Sequence, residues 1–190
     1  SGGLDGNVSA GYSDYFLAKY DENDLKSYTK QVGVADHSTA ARSVLTDASG
    51  NVYVVGETNA GLGGNTLIGR QDVFITKYGI DDAEVYTTQS GASESIYDVG
   101  SAAVDADGNI FVAGVKWIPN YYSFFLTKFD GSTGAVLATK SLGAAGSYYH
   151  EAIVAVDGAG NVLVTGYADF DSDQATCSPF LVKYDNALTT

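Results

Sequence analysis

The sequence predicts an all-β fold made of four-stranded antiparallel sheets repeated along the chain. Three observations predict it. The 190 residues include 14 Tyr, 8 Phe and 23 Gly but only 2 Pro and no Met, a composition suited to short strands joined by tight turns. One ten-residue pattern recurs as "DASGNVYVVG" at 47–56, "DADGNIFVAG" at 105–114 and "DGAGNVLVTG" at 157–166. Its apolar residues alternate or run briefly between Gly, Asn and Asp, as strands bounded by turns do.

Each unit reads as four strands, a to d. Strand a precedes the turn, in "SVLTD", "SAAVD" and "AIVAVD", and is assigned to 41–46, 99–104 and 152–156. Strand b is the apolar half of the ten-residue pattern, with a shortened copy expected in "DGNVSAG" at 5–11. Strand c is "DYFLAKYD" at 14–21, "DVFITKYG" at 72–79, "SFFLTKFD" at 123–130 and "PFLVKYD" at 179–185. Its lysines, Lys19, Lys77, Lys128 and Lys183, are spaced by 58, 51 and 55 residues. Strand d is "LKSYTKQVG" at 25–33, "VYTTQSG" at 85–91 and "VLATKSLG" at 136–143. No segment carries a capped helical stripe. Four antiparallel strands recurring at this period are the signature of β-propeller blades. The chain is thus read as one domain, 1–190, with units at 1–33 (partial), 34–91, 92–143 and 144–190.

In "DADGNIFVAG", Asp105, Asp107 and Asn109 alternate as in a calcium loop. A helix–loop–helix calcium site starting at Asp105 needs Gly at its sixth position and Glu at its twelfth; Ile110 and Lys116 stand there. The sister copies carry Ser49 and Ala159 in place of the middle Asp. A tight a–b turn explains the pattern better, because Gly and Asn tolerate positive φ and Asp bonds the turn backbone.

These residues resemble the bacterial seven-bladed β-propeller (SBBP) repeat family. Its units run as an acidic-Ala strand, Asp-x-x-Gly-Asn-aromatic-Val-x-Gly, a variable loop, Asp-x-Phe-Val-x-Lys-aromatic and a closing strand ending in Gly. The likeness covers nearly the whole chain. One departure is the Phe-Pro segment common after the second strand, which is replaced here by unrelated loops. The resemblance implies a secreted or surface-exposed bacterial protein, and it brings no shared catalytic residues.

Composition narrows the partners. A formal charge of −13 argues against nucleic acid and against an anionic membrane surface. No apolar run is long enough for a membrane-spanning helix. Cys177 is the single cysteine, so no disulfide forms within the chain, and it lacks the basic neighbours of a reactive thiol. Ser1 opens without a basic segment or apolar core, as both a mature secreted product and a cytosolic chain would. Phosphate-loop, zinc-helix and nucleophile-elbow motifs are absent, and no cofactor or metal is expected.

Function is expected on the face where the b–c and d–a connections emerge. The a–b turns are alike, whereas "ETNAGLGGNTLIGRQ" at 57–71, "VKWIPNYY" at 115–122 and "YADFDSDQATCS" at 167–178 differ. So do "VADHSTA" at 34–40, "ASESIYD" at 92–98 and "AAGSYYHE" at 144–151. Loops held by a rigid scaffold carry function. Candidate binding residues there are Tyr97, Trp117, Tyr121, Tyr122, Tyr148, Tyr149 and His150, aromatic surface suited to stacking on sugar or anchoring protein. Residues of this kind also pack between blades, and His37, His150 and Glu151 have the ordinary reading of solvated surface groups. "DFDSD" sets Asp169, Asp171 and Asp173 at alternate positions, a cation candidate lacking a full ligand set.

The expected function is therefore a non-enzymatic extracellular or cell-surface module that binds protein or glycan. The alternatives are a subunit of an extracellular filament or layer, and a propeller hydrolase or lyase acting on polysaccharide. The strand count adds an expectation. With four b, four c, three d and three a strands, the outer blades are expected to have open edges completed by another segment, another chain or a second copy, the alternative being a self-contained four-bladed ring.

Overall fold

The computed structural model describes residues 3–119, 121–142, 148–169 and 177–189. Thirteen strands form four antiparallel sheets among these residues. The first sheet pairs β1 (Tyr15–Tyr20) with β2 (Lys26–Val32). The second runs in order through β3 (Thr39–Thr46), β4 (Val52–Thr58), β5 (Asp72–Tyr78) and β6 (Glu84–Ser90). The third contains β7 (Ile96–Val104), β8 (Ile110–Ile118), β9 (Tyr121–Phe129) and β10 (Val136–Leu142). The fourth contains β11 (Tyr148–Val156), β12 (Val162–Asp169) and β13 (Cys177–Tyr184). These are propeller blades in an open arc, with β3, β7 and β11 adjacent to one another as the innermost strands.

The a–b turns form as expected. Gly50, Gly108 and Gly160 adopt φ of +84°, +84° and +83°, the left-handed region that disfavours any side chain with a Cβ. Asp47 accepts hydrogen bonds from the N–H groups of Ser49 and Asn51 and from the Asn51 amide. Asp105 does the same for Asp107 and Asn109, and Asp157 for Ala159 and Asn161. Desolvation opposes ionisation of Asp47 and Asp105, but donors of the turn, joined by Tyr53 and Asn186 respectively, hold both carboxylates below the ordinary range, and Asp157, bonded chiefly by Asn161, falls to about 2. Asp105 therefore closes a turn rather than opening a calcium loop.

Successive strand residues face opposite sides of a sheet, and in the middle blades both sides are covered. Val54, Phe74 and Tyr78 pack against Tyr15 and Leu17 of the first blade. Tyr53, Val55, Val73 and Ile75 pack against Tyr97, Val99, Phe125 and Phe129 of the third. Phe111, Ala113, Phe124 and Leu126 pack against Val154, Val164 and Tyr184 of the fourth. Each junction is therefore a core of its own.

Polar links repeat with the same period. Lys19 donates to Asp82 of the next blade at 2.7 Å, and Lys77 donates to the Gly131 carbonyl at 2.8 Å. Lys128 donates to the Asn186 carbonyl at 3.0 Å and also to its side-chain oxygen. Between innermost strands, the Ser43 hydroxyl accepts from the Ala102 N–H at 3.1 Å and the Ser101 hydroxyl from the Val154 N–H at 2.7 Å.

Three expectations are corrected. Residues 5–11 form no strand b. Leu4–Gly6 is a single 3-10 turn, and residues 3–14 reproduce the hydrogen bonds of the loop at 61–72, "GLDGNVSAGYSD" beside "GLGGNTLIGRQD". Two Gly-Asn pairs, 6–7 and 64–65, thus belong to b–c loops, and the shared dipeptide misled the strand assignment. The first sheet accordingly has two strands, c and d. Strands a begin earlier than expected, at Thr39, Ile96 and Tyr148, and "VKWIPNYY" lies mostly within β8 and β9. Long runs of paired backbone replace these loops because β7, β8 and β9 extend together, Ile96 opposite Trp117 and Trp117 opposite Tyr122.

Candidate functional site

The b–c and d–a connections share one end of the blades, and a repeated acidic hub builds it. Asp72 accepts from the N–H groups of Ile68 and Gly69 at 2.8 Å each and from the Gln89 amide at 3.2 Å. Asp14 accepts from Ala10, Gly11 and Gln31 in the same way. Gln89 also accepts from the Leu62 N–H, and the Asn65 amide donates to the Leu62 and Thr87 carbonyls. Gln31, Leu4, Asn7 and Thr29 repeat that set in the first blade. A β-carbon at Gly91 would lie 1.9 Å from Asp72, so the Gly closing strand d is required for close approach. The loop at 61–72 is therefore bonded to its own strand d, and the same arrangement recurs at 3–14.

On this platform the Arg70 guanidinium lies 5.5 Å from the Trp117 ring, and Trp117 lies 6.4 Å from Tyr122 across the β8–β9 hairpin. Trp117 and Tyr122 are half-buried, leaving part of each ring accessible. A cavity of about 340 Å³ beside Tyr122 is lined by Arg42, Asp98, Gly100, Glu151 and Tyr167 among others. A neighbouring 220 Å³ recess shares Arg42 and Asp98 and adds Ser38, Glu57 and Gln71.

Sequence reasoning missed this inner polar group. Arg42 pairs with Glu57, whose second oxygen accepts from the Val99 N–H at 3.2 Å. Glu57 is buried, which pushes its pKa up despite the opposing Arg42, while that bond raises Arg42. The Gln71 amide donates to the Tyr97 carbonyl and to Asp98. Arg42 and Gly100 are bulge residues, each skipped by the register of its strand with the neighbour. The signal that would have found them is their departure from the repeat: Arg42 stands where the next unit has Gly100, and Glu57 where it has Val115.

The expected binding residues divide. Trp117 and Tyr122 come together. Tyr97, expected on a loop, lies in β7, is 8% exposed and meets Phe125 edge-on at 5.0 Å; its neighbours in the extended strand draw it into the core. Tyr121, Tyr148, Tyr149 and His150 lie in strands, with side chains outside the described residues. The acidic stretch 169–173 also lies outside them, apart from the backbone of Asp169. His37 is exposed on the d–a connection. Among the described residues, no group of three or more His, Cys, Asp or Glu gathers as a metal site would.

No curated protein matches the chain. Residues 27–63 match the family model of SBBP, the beta-propeller repeat. The matched segment comprises most of β2, the β3–β4 hairpin and the start of the following loop, and its Asp-x-x-Gly-Asn hairpin recurs in the third and fourth blades. Residues 27–63 are thus similar to an SBBP-type β-propeller repeat, and the chain is built of β-propeller-like blades.

Proposed function

We propose that this propeller is a non-enzymatic module outside the cell or on its surface, binding glycan or protein through the face of b–c and d–a connections. The observation that carries the reading is the asymmetry between its two ends. At one end the Asp turns saturate their own carboxylates and backbone. At the other, Arg70 lies against Trp117, Trp117 neighbours Tyr122, and Tyr122 lines a cavity with Arg42, Asp98 and Glu151 on its wall. Half-exposed rings with nearby charged and polar groups suit sugar stacking or a protein anchor.

A glycan array with the intact chain, repeated with Trp117→Ala, tests it. Binding that weakens about tenfold or more in the variant, without release of reducing ends, supports the reading. Release of reducing ends from a bound glycan would replace it with the polysaccharide-cleaving alternative.

A further inference from the structure

The two outer sheets expose opposite halves of the contact that joins the inner ones. At each internal junction, one blade presents its c-strand residues of one parity and the next blade presents the other parity. Tyr15 and Leu17 meet Phe74 and Tyr78; Val73 and Ile75 meet Phe125 and Phe129; Phe124 and Leu126 meet Phe180 and Tyr184. The first half of a fourth such set lies on the outer face of the last blade, where Leu181 is 68% exposed although its counterparts Ile75 and Leu126 are at 0%. The second half lies on the outer face of the first blade, where Phe16 is 60% exposed against 0% for Phe74.

Polar groups match in the same sense. Among the described residues Lys183 makes only a 3.4 Å contact with Asp157 of its own blade, whereas Lys19, Lys77 and Lys128 reach the c–d turn of the blade that follows. The first blade offers such a turn at 21–25. Asp24 adopts positive φ there, as Asp82 does in the turn that receives Lys19. The innermost strands agree as well. Ser43 and Ser101 each accept from the inner strand of the next blade, but Ile153 occupies that position in the fourth. The first blade has no inner strand to cap among the described residues, so an apolar side chain fits where a hydroxyl would have no donor.

We propose that the outer face of the fourth blade binds the outer face of the first blade of a second copy of this chain. Leu181 packs on Phe16, and Lys183 reaches the turn bearing Asp24. The contact is heterologous, so it either closes two arcs into a ring or continues as a filament. This goes beyond the loop-face reading and does not depend on it.

The test is sedimentation of Phe16→Asp, Leu181→Asp and the unmodified chain by analytical ultracentrifugation, with circular dichroism to verify folding. The unmodified chain is expected to associate, and each variant to weaken association about thirtyfold or more. Mixing the two folded variants restores one intact pair of faces and is expected to give a 1:1 dimer that grows no further. An unmodified chain that stays monomeric, variants that associate as it does, or a mixture that stays monomeric would overturn the proposal. If a variant fails to fold, Lys183→Glu, with restoration by Asp24→Lys on the partner copy, gives the same readout: restored association supports the contact, and none overturns it.

Discussion

The second and third blades differ from the first and fourth in their neighbours more than in their sequence. Phe16 and Phe74 occupy the same position of strand c, as do Leu126 and Leu181, yet one of each pair is enclosed and the other faces solvent. A strand residue's environment is fixed by what lies across from its sheet, and a repeat supplies that only where another unit follows. Burial in this fold belongs to the junction and not to the blade, as in other proteins whose units are stabilised by their neighbours.

The strongest way to break the comparison is truncation at equivalent positions. Phe74→Ala should cost about 3–5 kcal/mol, as loss of a buried ring does, while Phe16→Ala should cost under about 1 kcal/mol in the monomer. Urea unfolding of the two variants measures both. Equal losses would show that the first blade's outer face is covered in solution.

A smaller effect is expected from the closing glycines. Gly91→Ala pushes a methyl into the Asp72 carboxylate, 1.9 Å away, and should cost about 1–3 kcal/mol. The Asp72 hub lies at a covered junction, whereas its copy at Asp14 and Gly33 sits at the margin. Gly33→Ala should therefore lower the melting temperature less than Gly91→Ala, because the first blade has more freedom to shift.

The repeated lysines sharpen the contrast further. Lys77→Met leaves the Gly131 carbonyl without this charged donor and should cost about 1–2 kcal/mol. Lys183→Met, which removes only an exposed 3.4 Å pair, should change monomer stability by less than about 0.5 kcal/mol. Chemical unfolding at low protein concentration separates the two.

The mildest test is acid. The turn carboxylates Asp47, Asp105 and Asp157 are depressed in the folded state, so their stabilisation is fully present above the unfolded Asp value of 3.8. It is lost as pH falls through the folded values, which for Asp157 lies at about 2. Carboxyl chemical shifts followed by NMR should give Asp157 a midpoint near that value. Asp157→Asn should flatten the decline in stability between the two values, and a midpoint at 3.8 would remove the turn bonds as the cause.

The sequence made some of this legible and concealed the rest for physical reasons. The hairpins at 47–51, 105–109 and 157–161 were readable because each needs Gly at positive φ and a carboxylate to bind its own turn. Trp117 and Tyr122 were readable as candidates because they are aromatic residues in a connection, 115–122, that differs between units. Tyr97 was misplaced because strand pairing, and not its local sequence, draws it inward. The loop at 3–14 was misread because "GN" serves two kinds of turn. Only the contacts of Gln31 with Leu4 and Asp14, distant in sequence, distinguish them.

By itself the sequence determined the four-strand unit, its turns and its alternating faces, since these follow from local φ preferences and a two-residue period. The tertiary structure decided which faces are covered. It also decided that Arg42, Glu57, Asp98 and Gln71 meet and that the arc remains open between its outer blades. Those outcomes depend on contacts across tens of residues, where each side chain's surroundings are set by an adjacent blade that no local pattern can specify.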